Sequence, residues 1–225
     1  TSIPEFFDDV GRVAQASSST WLTGVFYEDT QQQKIYNSVM ALGASQGVYH
    51  KQRLVPFGEY IPLAGLLYWV LPEMQKDVAN GGLVAGEAAQ KPLKIKQHDL
   101  AVAICYEVAY PHLTRSNAIH SDFLMTVSND AWFVGTAGPW QHLQMVQMRA
   151  KENGRWFIRA TNTGVTAIIN EQGHIVSKLP QDIAAVLRGD LPAMEGRTWY
   201  SRFSDYPILI VSLLLLLIGW RYRKS

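Results

Sequence analysis

Residues 208–218 read ILIVSLLLLLI, and Ser212 is the only polar position among them. A helix built from this run has no wet face, so it cannot lie on a domain surface as an amphipathic helix does. Either a lipid bilayer or a deep core must receive it. The run is shorter than the ~17 to 25 residues of an ordinary span. Tyr206 and Trp220 can sit at the two interfaces, however, and Arg221, Arg223 and Lys224 can carry their charges back to water, which extends the usable length. The pattern predicts a transmembrane helix over 206–220, with a buried terminal helix as the alternative. The basic residues of 221–225 then predict a cytoplasmic tail and put the preceding domain on the far side of the membrane. A domain there must be exported, yet the chain opens at Thr1 without a basic or apolar leader. The expectation is a C-terminal portion of a longer membrane protein with further transmembrane segments upstream.

Outside this run the composition mainly excludes. Lys plus Arg (20) nearly balances Asp plus Glu (19), and no basic stripe precedes the C-terminus, so there is no nucleic-acid footprint. The single cysteine, Cys105, allows neither an internal disulfide nor a thiolate-rich zinc site. His50, His98, His112, His120, His142 and His174 lack metal-ligand spacing. No metal or cofactor is called for. With 225 residues, a single domain over 1–200 has enough length to bury a large core.

The periodicity along 1–200 alternates between helix and strand. PEFFDDVGRVAQASSS predicts a helix from near Pro4, with Phe6, Val10 and Val13 at helical spacing. Short β-branched and aromatic runs predict strands at WLTGVFY, KIYNSVMAL, LAVAICYE, FLMTVS, WFIRAT, GVTAIIN and IAAVLRGDL. PWQHLQMVQMRAKENG predicts a helix with Pro139 in its first turn, Leu143, Val146 and Ala150 on one stripe, and Asn153-Gly154 as its stop. Many strands with few helices imply an α/β or α+β layered sandwich.

Cys105 stands near the end of LAVAICYE. A free cysteine in an apolar strand is often a small core side chain. Strand ends at a sheet's edge, however, are where α/β folds present nucleophiles. An ordinary thiol, with pKa ~8.5, needs a base or a nearby cation to work at neutral pH. HKQRLVPFGEY supplies one candidate: Lys51 as an oxyanion-stabilising ammonium, held by Glu59 eight residues on, or else as a surface lysine beside a turn. SNDAWF reads either as a plain Asx turn with a core Trp, or as a turn through Asn129 and Asp130 that directs Trp132 into a pocket. Arg149 and Glu152 suit a structural ion pair. His112, seven residues past Cys105, makes a Cys-His dyad conceivable but disfavoured. IPLAGLLYWVLPEM suits either a buried helix or hairpin, or a lid whose Leu66, Leu67, Tyr68, Trp69 and Leu71 dip into lipid.

HKQRLVPFGEY, ICYE, SNDAWF and MRAKENGRWFIRATNTG, in this order over most of the chain, resemble the nitrilase (carbon-nitrogen hydrolase) superfamily, and within it the membrane branch of apolipoprotein N-acyltransferases. The resemblance implies an αββα sandwich with a Glu-Lys-Cys triad: Cys105 as nucleophile, Lys51 as the triad lysine, Glu59 as a supporting carboxylate, and Tyr106 and Glu107 following the nucleophile. The family's base glutamate precedes a stretch that TSIP occupies here, so it is expected one position before Thr1. Pro4-Glu5 follows that stretch and is not assigned the role. With two triad members present, the chain alone is expected to be inactive. The implied reaction takes an acyl chain from a phospholipid donor, through a Cys105 thioester, to the α-amine of the lipidated N-terminal cysteine of an apolipoprotein acceptor. The implied location is the periplasmic side of a bacterial inner membrane. A carbon-nitrogen hydrolase (amidase) tethered to the membrane, and a non-catalytic binding domain in case the upstream glutamate is absent, are the alternatives.

Overall fold

The computed structural model describes residues 3–64, 82–133 and 135–223. The expected lid residues Leu66, Leu67, Tyr68, Trp69 and Leu71, and Lys224 of the basic tail, lie outside them.

Four layers are stacked: helix, sheet, sheet, helices. Helix α1 (Ile3–Ala16) packs on the antiparallel sheet β1 (Thr20–Asp29), β2 (Lys34–Gly43) and β3 (Gly47–His50). The second sheet contains β4 (Leu93–Ile95), β5 (His98–Ile104), β6 (Phe123–Ser128), β7 (Phe157–Thr161), β8 (Ala167–Ile169) and β9 (Ile175–Lys178), in that order. Its centre, β5-β6-β7, is parallel, and both flanks are antiparallel. Parallel neighbours need crossovers, which are supplied by α2 (Pro111–Ala118) and α3 (Gly138–Asn153).

The sequence of β5 explains the sandwich. Leu100, Val102 and Ile104 join Val39, Ala41 and Tyr49 in the core between the sheets. Ala101 and Ala103 face the other way, into a second core with Ala118 of α2 and Leu143, Val146 and Ala150 of α3. A strand covered on both faces reads as an unbroken apolar run, and each fully buried aliphatic side chain contributes roughly 1.5–3 kcal/mol. The predicted α3 stripe is buried, Pro139 lies in its first turn, and Gly154 (φ +61°) ends it by donating to the Ala150 and Lys151 carbonyls.

Three expectations change. The α1 face toward β2 is Phe7, Val10, Gly11 and Ala14, while Phe6 and Val13 are exposed. Close approach to the sheet selects small residues here, since a Cβ on Gly43 would meet that of Ala14. The strand expected over LAVAICYE stops at Ile104, and Cys105–Ala109 forms a 3-10 turn. IAAVLRGDL has no regular structure, and its Ile183 and Val186 are exposed.

After α4 (Trp199–Phe203), the terminal helix α5 (Tyr206–Tyr222) carries exposed apolar side chains along its whole length. Its 17 residues extend ~25 Å. In this structure the helix is exposed and packs into no core. Among the described residues no helix is long and apolar enough to cross a membrane.

Candidate active site

Cys105 is half-buried at the carboxyl end of β5, with φ +50°. A residue with a Cβ pays about 1–2 kcal/mol for this left-handed conformation, so the surrounding structure must impose it. It is held from both sides. Upstream, the Ile104 amide donates to Glu107 Oε2 at 2.6 Å; downstream, His142 Nε2 lies 2.9 Å from the Cys105 carbonyl oxygen.

Lys51 directly follows β3 and is 1% exposed. Its Nζ donates to Glu59 Oε1 at 2.8 Å. Glu59 also accepts from Asn37 Nδ2 at 2.9 Å and from the Val55 amide at 2.7 Å. The turn that returns Glu59 to the lysine has Phe57 at φ +60° and closes through Phe57 N–H to the Tyr60 carbonyl.

Glu107 ties these two segments together. Fully buried, it accepts from the amides of Gln52 (2.6 Å), Arg53 (3.1 Å) and Ile104 (2.6 Å), and from the Tyr49 hydroxyl. Thus the two residues after Lys51 are fastened to the residue before Cys105. Burial pushes the Glu107 carboxyl above the usual range, while the three amides and the Lys51 charge pull against that shift. Burial, with the Glu107 charge, pushes the Tyr49 phenol upward as well, so it stays a donor. A cavity of about 450 Å³ opens beside this clasp, lined by Gln52, Arg53, Gly86, Tyr110, His112 and Ser116 among others.

The remaining expected residues are more dispersed. Tyr106 is exposed and meets Tyr110 edge-on, with centroids 5.2 Å apart. Asn129 makes the Asx turn, its Oδ1 accepting from the Ala131 amide at 3.1 Å. Trp132, expected to be in a pocket or the core, is 79% exposed. His112 faces Asp205 and Ser204 instead of the thiol. Arg149 and Glu152 pair at 2.9 Å.

The residues that sequence reasoning missed are Asp130, His142 and Arg159. Asp130 is buried, pairs with Arg159, and stands 3.1 Å from His142 Nδ1. Burial alone would push its carboxyl up, but hydrogen bonds with His142 and Ser128 and the Arg159 charge hold it below the usual range. Burial pushes the Arg159 guanidinium down, opposed by the negative charge of Asp130. The signals were present: an arginine at an inward position of β7, alternating with Phe157, and a histidine on the buried stripe of α3.

Over 217 residues the chain is 42% identical to an apolipoprotein N-acyltransferase of Pseudomonas putida, a match covering 96% of this chain and 42% of the relative. It therefore spans about two fifths of the length of such curated relatives. Among solved structures, a carbon-nitrogen hydrolase from Helicobacter pylori G27 superimposes with TM-score 0.61 at 16% identity, covering 79% of this chain and 63% of that one. A variant of the amidase from Nesterenkonia sp. AN1, showing covalent addition of the acetamide moiety of fluoroacetamide at its active site cysteine, gives TM-score 0.56 at 17% identity, with 79% and 63% covered. At these identities the structural likeness is one of fold. The pattern of the carbon-nitrogen hydrolase family matches residues 5–200, most of the sequence, and the chain belongs to that family.

Proposed function

We propose that this chain forms the catalytic portion of a membrane-anchored N-acyltransferase with Cys105 as its nucleophile. The observation that carries the reading is the Glu107 clasp, which fastens the left-handed Cys105 turn to the segment after the buried Lys51. In the first half-reaction the thiolate attacks the acyl ester of a phospholipid. The S–C bond forms, the ester C–O bond breaks, and the lysophospholipid alkoxide leaves with a proton from the general acid. The Lys51 ammonium steadies the oxyanion of the tetrahedral intermediate, with Glu59 holding the lysine in place. In the second, the α-amine of a lipidated N-terminal cysteine attacks the thioester. The C–N bond forms, the C–S bond breaks, and the amine's proton passes to the base. We assign base and acid to a glutamate one position before Thr1.

Membrane anchoring is supported by α5, apolar on every side and exposed. Tyr206 and Trp220 stand near its two ends, and the exposed Trp199 stacks on Phe203 at 5.4 Å just before it. Trp and Tyr favour the membrane–water interface. The relatives' names support an acyltransferase and a lipoprotein acceptor; the fold neighbours favour an amidase as the second reading.

Intact-mass measurement of the full-length protein mixed with phospholipid tests the proposal. An acyl adduct on Cys105, discharged by an amine acceptor and lost in Cys105→Ser, is expected. Hydrolysis of small amides without that adduct would establish the second reading instead.

A further inference from the structure

The reaction as described makes no use of the buried groups on the helix side of Cys105. Asp130 follows β6, His142 lies on α3 and Arg159 lies in β7, so three separate elements converge there. Asp130 and Arg159 are fully buried and His142 is 7% exposed. The Cys105 carbonyl oxygen can only accept, so His142 Nε2, 2.9 Å away, carries its hydrogen. The other ring nitrogen lies 3.1 Å from Asp130 Oδ1 and 3.2 Å from an Arg159 Nη. Arg159 also donates to Asp130 Oδ2 and, through Nε, to the Val165 carbonyl at 3.1 Å. Ser128 Oγ donates to Asp130 Oδ1 at 2.5 Å. Gly164 belongs to the same arrangement, since a Cβ there would collide with the Asp130 carboxylate.

Stability is a poor reason for this trio. A buried ion pair is often no better than a well-packed apolar filling of the same volume. What an apolar filling cannot supply is a donor aimed at the Cys105 carbonyl. That carbonyl belongs to the peptide group just after the left-handed residue, so fixing its direction fixes the backbone from which Sγ projects.

We propose that Asp130, His142 and Arg159 form a positioning unit for the nucleophile. His142 holds the Cys105 carbonyl and with it the left-handed turn, while Asp130 and Arg159 fix the orientation of the imidazole ring. This rests on Cys105 being the nucleophile proposed above, and the test separates the two.

In full-length protein, two rates are measured: alkylation of Cys105 by iodoacetamide, which needs no lipid, and acyl-adduct formation from phospholipid. In His142→Gln the side-chain amide keeps a donor toward the carbonyl but loses the ring's contact with Asp130. In His142→Leu both contacts are lost. Losing this hydrogen bond is expected to slow both rates about tenfold in His142→Leu, whereas His142→Gln recovers most of the loss although its unfolding midpoint falls as well. A purely structural role predicts that rates follow stability and that Gln rescues nothing. Equal rates in the two variants, or a wild-type rate in His142→Leu, would overturn the proposal. Should His142→Leu not fold, His142→Asn, polar but too short to reach the carbonyl, takes its place with the same expected loss. If alkylation follows the expected order while even the wild type takes no acyl adduct, the acyl-transfer reading fails and the positioning unit stands.

Discussion

Replacing Glu107 by Ala tests the clasp between the Lys51 and Cys105 segments. The carboxylate accepts from three backbone amides, those of Gln52, Arg53 and Ile104. Alanine offers them no acceptor in its place. An orphaned buried donor costs about 1–3 kcal/mol. The low end applies because water can enter the vacated space, and removing a carboxyl whose ionisation burial disfavours returns part of the cost. A net loss of roughly 3 kcal/mol is expected, which for a chain of this length lowers the unfolding midpoint by about 6–12 °C. The effect on chemistry should be larger than the effect on stability. With the clasp gone, the Lys51 segment and the Cys105 turn are free to shift relative to each other, and a displacement near 1 Å costs about a hundredfold in rate. Differential scanning calorimetry gives the midpoint, and time-resolved intact mass at a temperature well below it gives the Cys105 acylation rate. A variant that keeps both the wild-type midpoint and the wild-type rate would show that Glu107 fastens nothing, and the argument for a shared site would fail with it.

Lys51→Met should remove the oxyanion's cation and slow Cys105 acylation by about 10² to 10³, read as the adduct rate at saturating phospholipid. It also leaves the half-buried Glu59 beside a thioether, so a lowered unfolding midpoint accompanies it. Because the Asp130 carboxyl is held below its ordinary range, its ionised form contributes stability that is complete above the unfolded pKa and is lost as pH falls through the folded one. Asp130→Asn should therefore be less stable than the wild type at neutral pH, with the gap narrowing in denaturant titrations below about pH 4. Trp199→Ala should weaken partitioning of the protein onto phospholipid vesicles without altering its unfolding midpoint, because the ring is 81% exposed.

The parts of the fold legible in the sequence were those whose signal is local. LAVAI announces a strand buried on both faces, and Leu143, Val146 and Ala150 announce the inner stripe of α3. Cys105 was legible as a candidate because it is a lone thiol in an otherwise apolar run, whereas Lys51, flanked by His50, Gln52 and Arg53, took its role from the family resemblance of HKQRLVPFGEY. Elements set by tertiary pairing were not. β3, β4 and β9 have four, three and four residues, too few for a period to show. IAAVLRGDL has strand propensity but no regular structure; propensity yields where pairing is not supplied. The Glu107 clasp was invisible for a different reason: its partners are mainly backbone amides, which every residue carries. Asp130 looked like a turn residue because Asn-Asp normally is one, and only the β6-to-α3 geometry shows its carboxylate buried against Arg159.

The end of β5 is where these local and tertiary influences compete, and magnitudes decide the outcome. Local propensity favours extending LAVAICYE as a strand through Glu107, and the left-handed Cys105 costs about 1–2 kcal/mol against that. Two hydrogen bonds oppose it, one from Ile104 N–H to the Glu107 carboxylate and one from His142 to the Cys105 carbonyl. Bonds to charged groups contribute about 1.5–3 kcal/mol and neutral ones about 1 kcal/mol, so together they exceed the backbone cost and the turn forms. Either alone only about matches it. Loss of Glu107 or of His142 should therefore leave a folded sandwich whose nucleophile samples both the turned and the extended backbone. Local backbone exchange is faster than alkylation, so this predicts single-phase Cys105 alkylation that is slowed in each single variant and slowed further when both are removed. A single fast phase in the double variant would mean that the turn is intrinsic to the local sequence and that neither buried network is needed to hold it.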